Sequence, residues 1–322
     1  MLRRFLETAR AEPRAVPAPP EPAAPELANM QAAIQNLARR LEESVAYFAH
    51  RSNPIRYTAT AYLGDNTVLA VLQNHYMMFL DTRGTDLAPH VMMFGIWEPN
   101  YTQLFQRLIR PGDTVFDIGA HLGVYAVLAS ASTGPTGKVH AFEPNGRFAS
   151  LLARSLAVNG FSGFAEIHNV AVGAEEGQAE LRFSWEFAGG GHLATGLGPR
   201  AASLEGRPCR VVALDDMFPD AATTVDVIKI DVEGTETFAM RGMQRLLARS
   251  PRVRIMFEFA PELLRAHGTS AGELIGFLGS LGFRFWNINA DASLTPEAAE
   301  ALAARVDGLV NILASRGDPE AG

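Results

Sequence analysis

The segment VFDIGAHLGVY, residues 115–125, determines the fold that we predict for this chain. Its apolar start is typical of a buried β-strand that ends at Asp117, and Gly119 and Gly123 stand in the turn that leads into the next helix. Gly119 permits a tight turn, and its missing side chain lets a ligand approach the backbone at the helix N-terminus. The segment therefore predicts a strand, a turn and a helix that border a ligand site.

Beyond this segment, short apolar runs continue to alternate with helical periodicity. Such alternation favours a mostly parallel, doubly wound sheet and hence an α/β, Rossmann-like fold. Near the C-terminus we expect two final strands, one of them antiparallel, joined by a helix around 296–305. The runs are KVHAFEP (138–144), AEIHNVAV (165–172), VDVIKIDVEG (225–234), VRIMFEF (253–259), FRFWNIN (283–289) and GLVNILA (308–314).

The patterns divide the chain into segments. Residues 1–26 are rich in proline and predict a disordered tether. Residues 27–50 show heptad spacing, so this helix either pairs with a copy of itself or packs on the α/β domain. A small region of strands and helix follows over 51–110. The α/β domain spans 111–316, and its glycine-rich stretch 181–212 predicts an inserted hairpin or lid.

Composition excludes several classes of protein. The 322 residues carry a formal net charge of −7, which provides no general field to hold a polyanion, so we expect no nucleic acid as the main partner. A single cysteine, Cys209, cannot form an intramolecular disulfide. We find no signal-peptide core and no run approaching the roughly 18 apolar residues of a membrane span. These observations predict a cytoplasmic protein without a transmembrane segment.

Two acidic residues end successive predicted strands. A dinucleotide-binding turn needs the pattern G-x-G-x-x-G, whereas this turn reads D-x-G-x-x-x-G, with Asp117 in place of the first glycine. The spacing disfavours an NAD-dependent oxidoreductase, and the acid is suited to hold an ammonium group instead. Glu143 lies 24 residues beyond Gly119, where nucleotide-binding folds place a carboxylate for ribose hydroxyls. Together the acids predict a nucleoside site, whereas a helix N-terminal residue is the alternative for either acid alone.

A third polar cluster lies in VIKIDVEG, residues 227–234, where strand alternation places Lys229, Asp231 and Glu233 on one face. A buried lysine is costly unless a carboxylate neutralises it. Asp231 and Glu233 can also orient an acceptor hydroxyl or remove its proton, whereas a purely structural ion pair is the alternative. No metal-ligand spacing is convincing, so we expect no metal, although Asp231, Glu233 and Glu258 could hold a divalent cation.

His192, in the glycine-rich insertion, is a further candidate base. A lid that carries a titratable imidazole can close over an acceptor and take its proton. The alternative is that this histidine is simply exposed. Trp185 and Phe187 in the same stretch either stack on a sugar ring or cap the core.

These residues resemble the FkbM family of methyltransferases over about 95–259. The shared motifs are GIWEP, RPGDTVFDIGAHLGVY, HAFEPN, NVAVG, ALDDMF, KIDVEGTE with a following RGM, and FEF. The resemblance implies a Rossmann-like class I enzyme that uses S-adenosylmethionine to methylate hydroxyl groups, often on sugars or polyketide-type products. It implies that the cofactor is lined by Glu98 at its amino acid end and elsewhere by Asp117, Gly119, Gly123, Glu143, Asn169 and Ala171.

One position departs from the family pattern. His121 stands where such proteins usually have Asn, beside the methionine carboxylate of the cofactor. A neutral imidazole still donates one hydrogen bond, so we expect His121 to bind the cofactor, with a role as base as the alternative.

The sequence thus predicts an S-adenosylmethionine-dependent O-methyltransferase that acts on a hydroxyl of a sugar, glycan or natural-product acceptor. A non-catalytic, cofactor-binding assembly module is the alternative, with helix 27–50 as the part through which copies of the chain associate. The predicted catalytic residues are Asp231, Glu233, Lys229 and His192.

Overall fold

The computed structural model describes three stretches of the chain, residues 59–186, 190–194 and 204–320. The tether predicted over 1–26, the helix predicted over 27–50 and Phe187 lie outside these stretches. Within them, no helix is both long enough and apolar enough to cross a bilayer.

The first described elements are strands β1 (Ala61–Gly64), β2 (Thr67–Leu72) and β3 (Tyr76–Asp81), which form an antiparallel sheet in that order. Both connecting turns contain two consecutive residues with positive φ, Asp65–Asn66 and Gln73–Asn74. This backbone conformation matches the twist of a β-hairpin, so two tight turns are sufficient to build the predicted β region.

Two helices follow this sheet. Helix α1 (Leu87–Phe94), which the sequence analysis did not predict, begins at Asp86, whose side chain accepts a 2.7 Å hydrogen bond from the N–H of Leu87. Helix α2 (Pro99–Leu108) lies in the region 51–110, where the sequence predicts strands and helix, and Pro99 occupies a position in its first turn where the missing N–H costs nothing.

From Thr114 onward strands and helices alternate, as the sequence predicts. The first half contains β4 (Thr114–Ile118), α3 (Val124–Thr133), β5 (Lys138–Phe142), α4 (Gly146–Val158), β6 (Ala165–His168), β7 (Ala171–Val172), β8 (Gly177–Phe183), β9 (His192–Leu193) and β10 (Glu205–Val212). The second half contains α5 (Leu214–Met217), β11 (Val227–Ile230), α6 (Glu236–Arg241), α7 (Gln244–Arg249), β12 (Arg254–Phe259), α8 (Pro261–Ala266), α9 (Ala271–Ser280), β13 (Arg284–Ile288), β14 (Leu294–Glu297), α10 (Ala299–Ala303) and β15 (Val310–Ser315).

Eight strands form the main sheet, in the order β14-β13-β15-β12-β11-β4-β5-β6. Neighbours from β12 to β6 pair in parallel, whereas β15 runs antiparallel to both β12 and β13. The predicted Rossmann-like sheet with an antiparallel C-terminal strand is therefore confirmed. The chain builds the sheet outward from β4 in both directions, and such a switch point opens a crevice at the carboxyl ends of the central strands.

The C-terminal connection differs from the prediction. The helix expected around 296–305 is shorter, and Pro296 lies instead in β14, an edge strand that pairs with β13. Proline lacks a backbone N–H. This is tolerated at the edge of a sheet, whereas in the interior a hydrogen bond between strands would be missing. The alanine content favoured a helix, but the pairing of β14 with β13 overrides that local preference.

The predicted insertion belongs to a further sheet, in the order β7-β10-β8-β9, which we call the inserted sheet. Strands β8 and β10 form a long antiparallel pair that begins at Gly177, four residues before the predicted boundary. Phe183, Leu181 and Cys209 pack together in its small core, so Cys209 is a buried apolar contact.

The main core lies on both faces of the parallel sheet, as expected for strands that are covered by helices on each side. Alternate residues of one strand face opposite cores: Val227 packs with helices α3 and α4, and Ile228 packs with α6 and α7. The strands whose ends carry the candidate site residues are thus covered on both faces.

Candidate active site

Asp117 ends β4 and is fully buried. Neither of its carboxylate oxygens has a hydrogen-bond partner among the described residues, and Lys229 Nζ lies 4.0 Å from Oδ1. Burial raises the pKa of Asp117 to about 6, although the charge of Lys229 opposes this rise. A buried acid with unused acceptor capacity is suited to receive donors from a ligand.

Gly119 follows Asp117 with a φ of 77°. A Cβ built on this residue would overlap the carbonyl oxygen of Asp231, because the ends of β4 and β11 approach closely there. Gly119 therefore meets two requirements at once, a left-handed backbone and the absence of a side chain.

Gly123 serves helix packing. It precedes α3 with a φ of 88°, and an added Cβ would overlap the side chain of Leu152 in α4. Gly123 does not belong to the described lining of the cavity at this turn, so its predicted cofactor contact stays a prediction.

Glu143 ends β5 and is buried at 6% exposure. Its Oε2 accepts a hydrogen bond from the N–H of His121 at 2.7 Å, and its Oε1 accepts one from the N–H of Asn145 at 2.7 Å. Burial raises the pKa of Glu143 to about 7, and these two bonds oppose the rise. Each oxygen keeps a second acceptor site, so Glu143 ties two turns together and can still receive ligand hydroxyls.

Asn169, the residue after β6, helps to hold Glu143 in this position. Its side-chain amide donates to the carbonyl oxygens of Glu143 at 2.8 Å and Pro144 at 3.1 Å, which holds the turn after β5. The predicted residue Ala171 lines the cavity, whereas Asn169 acts on the backbone that carries Glu143.

A cavity lies at these strand ends and is enclosed by the insertion. The turns after the strands of the main sheet contribute Gly119, His121, Glu143 and Asp231. The inserted sheet contributes residues of β8 and β9. Because β8 and β9 form part of its wall, the inserted sheet covers the nucleoside site that the sequence predicts. The described lining from these two strands is Leu181, Phe183, His192 and Leu193.

Lys229 joins the acids of β4 and β11. Its Nζ lies 3.1 Å from Oδ2 of Asp231 and 4.9 Å from the centre of the Tyr125 ring. The charges of Asp231 and Asp117 raise the pKa of Lys229 well above its usual value despite burial, so the ammonium stays charged. The register places Lys229 directly beside Asp117 on the neighbouring strand.

Glu98 approaches the same cluster from the start of α2. It has a φ of 39°, and its Oε2 accepts a 2.6 Å hydrogen bond from the hydroxyl of Tyr125. Burial raises the pKa of Glu98 above its usual value. The sequence analysis did not assign Tyr125 a role, although it belongs to the segment that decides the fold.

Three carboxylates meet at the ends of β11 and β12. One oxygen each of Asp231, Glu233 and Glu258 lies within 4.8 Å of the others. Burial and the charge of Asp231 raise the pKa values of Glu233 and Glu258 to about 8 each. At neutral pH these two glutamates therefore hold protons, which lets three acids share a small volume.

Glu236 is a residue that the sequence analysis missed. It is buried at 3% exposure, and its Oε1 accepts hydrogen bonds from the N–H groups of Gly234 and Val232 at 3.2 and 3.4 Å. It therefore holds the turn that carries Glu233. Its position in KIDVEGTE, as an acidic residue in the first turn of the helix that follows Gly234, was the available signal.

The two candidate histidines are both enclosed. His192 is 7% exposed, so it is not the exposed loop residue that was the alternative, and its Nε2 has no partner among the described residues. His121 packs edge-on against the ring of Phe148 at 4.7 Å, and burial lowers its pKa, which keeps the imidazole neutral.

Trp185 packs on the inserted sheet. Its ring lies edge-on to Phe183 at 4.9 Å, its Nε1 donates to Glu205 at 2.7 Å, and Arg83 covers one face. These contacts favour the capping role over stacking on a sugar.

The sheet order, with β15 reversed between β12 and β13 and with acids at the ends of β4 and β5, defines a Rossmann-like, S-adenosylmethionine-dependent methyltransferase. The chain belongs to the FkbM methyltransferase family, because the family model "Methyltransferase FkbM domain" matches residues 117–285, more than half of the 322 residues. The resemblance seen in the sequence is thereby confirmed, and S-adenosylmethionine is the cofactor.

Among solved structures, the chain is similar to precorrin-6y C5,15-methyltransferase from Geobacter metallireducens, with 12% identity over 67% of this chain and 86% of the other, and a TM-score of 0.37. It is also similar to an S-adenosylmethionine-dependent O-methyltransferase from Thermotoga maritima, with 11% identity over 81% and 86%, and a TM-score of 0.38. The O-methyltransferase TomG from Streptomyces achromogenes shows 13% identity over 68% and 78%, and a TM-score of 0.36. No curated protein matches the chain.

The residues around the cavity fit S-adenosylmethionine. Asp117 offers two unused acceptor oxygens, as an ammonium group requires, and Glu143 retains acceptor sites that suit ribose hydroxyls. Asn145 Nδ2 and His121 Nε2 are buried and without partners among the described residues, so a polar ligand would satisfy them.

Proposed function

We propose that this chain is an O-methyltransferase that acts on a hydroxyl of a sugar, glycan or natural-product acceptor. The observation that carries the proposal is the position of Asp231. Its side chain belongs both to the lining of the cofactor cavity and to the carboxylate cluster with Glu233 and Glu258. A carboxylate at this boundary can accept the proton of a hydroxyl that lies beside the cofactor.

Bound S-adenosylmethionine supplies an electrophilic methyl group on a sulfonium that is itself a good leaving group. The protein must then align an oxygen nucleophile, and alignment of this kind contributes about 7–11 kcal/mol. Asp231 is the first candidate for the general base, because Lys229 orients it at 3.1 Å and stabilises its negative charge. Glu233 is second, since its pKa of about 8 leaves it protonated at neutral pH, and His192 is third.

A second cleft lies at the same edge of the sheet and is suited to a polyhydroxylated acceptor. Carboxamides both donate and accept hydrogen bonds, as sugar hydroxyls do. In the register of β12 and β15, Asn311 lies opposite Glu258, so the cleft adjoins the carboxylate cluster. Its polar lining includes Glu98, Asn100, Tyr101, Asn287, Asn289 and Asn311.

The proposal is tested by incubating the purified chain with methyl-labelled S-adenosylmethionine and a panel of hydroxylated acceptors. We expect label in a product that withstands mild alkali, because a methyl ether survives treatment that cleaves a methyl ester. Transfer to nitrogen or to a carboxylate would contradict O-methylation. Cofactor binding without transfer to any acceptor would favour the assembly module instead.

The acceptor cleft is tested separately by Asn311→Ala. We expect the KM for the acceptor to rise about 2- to 12-fold, since a hydrogen bond to a hydroxyl contributes about 0.5–1.5 kcal/mol, with unchanged affinity for S-adenosylmethionine. An unchanged acceptor KM would exclude Asn311 from acceptor binding. A parallel loss of cofactor affinity would indicate a general disturbance of the sheet.

A further inference from the structure

His140, Glu166 and His168 form a cluster on the edge of the main sheet, outside the described lining of the cofactor cavity. His140 lies in β5 and the other two lie in β6, and the register pairs His140 with Glu166. Residues paired across parallel strands, and residues two apart within a strand, face the same side of the sheet. All three side chains therefore project together, and none belongs to the described lining of the cavity.

The ligand atoms of this cluster are spaced like those around a metal ion. His140 Nδ1 lies 3.1 Å from His168 Nε2 and 3.6 Å from Glu166 Oε2, and all three atoms lie within 4.8 Å of one another. Tetrahedral zinc sites have metal–nitrogen and metal–oxygen distances of about 2.0–2.2 Å, which places neighbouring ligand atoms about 3.4 Å apart. The two separations from His140 Nδ1 are thus close to those between ligand atoms around a bound ion.

Aromatic packing holds the two imidazoles in place. Their rings stack with centres 5.4 Å apart, and the ring of Phe218 lies edge-on to His140 at 4.9 Å. Phe142 stacks on His168 at 4.8 Å. Because the rings are already ordered, little side-chain entropy would be lost when both nitrogens bind one ion.

His140 Nδ1 and His168 Nε2 lie within hydrogen-bonding distance of each other, and an ion bound by both nitrogens would replace that contact. The cluster is also open to solvent. The Glu166 carboxylate is 59% exposed, which gives an ion a path from solvent and supplies one negative charge.

We propose that His140, His168 and Glu166 bind a divalent transition-metal ion, with Zn²⁺ favoured by the ligand set of two imidazoles and one carboxylate. Three protein ligands leave one tetrahedral position open. The ion would cross-link β6 to β5 and so stabilise the strand that leads to Asn169 and the cofactor cavity. The site is independent of the reaction that the cavity performs.

The test uses the full chain without an affinity tag, stripped of metal by a chelator and titrated with ZnCl₂ by calorimetry. We expect one zinc ion per chain and a rise in melting temperature of several degrees. His168→Ala should weaken zinc binding at least about 100-fold, because it removes a direct ligand. The matched control is His75→Ala, which removes an exposed imidazole in the turn after β2 and should leave zinc affinity unchanged.

Two further measurements keep the outcome decisive. Affinity of His168→Ala for S-adenosylmethionine should match wild type, which shows that the variant is folded. Co²⁺ bound to the wild-type chain should give the intense visible absorption of a tetrahedral site, and His168→Ala should lose it. The proposal would be overturned if the wild type did not bind zinc stoichiometrically. It would also be overturned if His168→Ala bound zinc with the same affinity, because the ion would then lie elsewhere, for example at the three carboxylates around Asp231.

Discussion

The ammonium of Lys229 lies 3.1 Å from the carboxylate of Asp231, the first residue after strand β11. Lys229 is 4% exposed, whereas the Asp231 side chain keeps 36% of its surface accessible. The buried member of the pair is thus neutralised by a partner that faces the cavity. This arrangement anchors the Asp231 carboxylate beside the cavity without enclosing it.

Asp231→Asn is the first test of this arrangement. We expect turnover to fall about 10²- to 10⁴-fold, the usual contribution of a general base, with little change in the dissociation constant for S-adenosylmethionine. Single-turnover kinetics and calorimetry measure the two effects. The control is Asp220→Asn, since Asp220 is exposed and an asparagine there can still accept the hydrogen bond from the N–H of Ala222. Unchanged turnover in Asp231→Asn would assign the base to Glu233 or His192.

Strand alternation predicted that Lys229, Asp231 and Glu233 share one face, and this was wrong beyond the strand. Strand β11 ends at Ile230, so Asp231 follows the strand, and Glu233, with a φ of 52°, lies in the turn before α6. The sequence also placed Asp117 and Glu143 at the ends of adjacent strands. This prediction succeeded because it depends on short segments and on the general rule that parallel strands end at one edge of a sheet.

Other features depend on tertiary packing and could not be predicted from the sequence. Glu98 and Tyr125 belong to different helical segments, so their 2.6 Å hydrogen bond follows only from the docking of α2 against α3. The burial of His192 requires the pairing of β9 with β8. Gly123 matched the predicted ligand turn, yet its contact with Leu152 depends on the approach of α3 to α4.

Glu143→Gln tests the cofactor site. The substitution keeps the size of the side chain but removes the charge, and hydrogen bonds to charged groups contribute about 1.5–3 kcal/mol. We therefore expect S-adenosylmethionine to bind about 10- to 100-fold more weakly, measured by calorimetry. Because Glu143 also accepts the N–H groups of His121 and Asn145, the melting temperature should fall as well. Wild-type cofactor affinity would refute the ribose-binding role.

Glu258→Gln tests the carboxylate cluster through pH. Burial and the charge of Asp231 raise the folded-state pKa of Glu258 to about 8, from an ordinary value of 4.5. Between these values the unfolded chain releases a proton that the folded protein keeps, so the free energy of unfolding falls as pH rises through this window. A glutamine at this position cannot ionise, so the contribution of this site to the free energy of unfolding no longer falls with rising pH.

We expect the melting temperature of Glu258→Gln to exceed that of wild type by about 4 °C at pH 8, with a much smaller difference at pH 4.5. Scanning calorimetry across this range measures the difference. Glu175→Gln, at an exposed position, is the control and should track wild type at every pH. A difference that stays constant with pH would show that Glu258 is ionised in the folded protein.

Gly119→Ala tests the close approach of β4 and β11. The added methyl group would overlap the carbonyl oxygen of Asp231, and the φ of 77° is unfavourable for alanine, so the backbone must move where the turn after β4 meets the end of β11. We expect the melting temperature to fall by at least about 6 °C, since backbone strain of this kind costs about 1–3 kcal/mol before the overlap is counted. The matched control is Gly163→Ala, where an added Cβ meets nothing within 4 Å and the φ is not positive. Equal melting temperatures for the two variants would contradict the tight contact, because only a separation between Gly119 and Asp231 wide enough for a methyl group would permit that result.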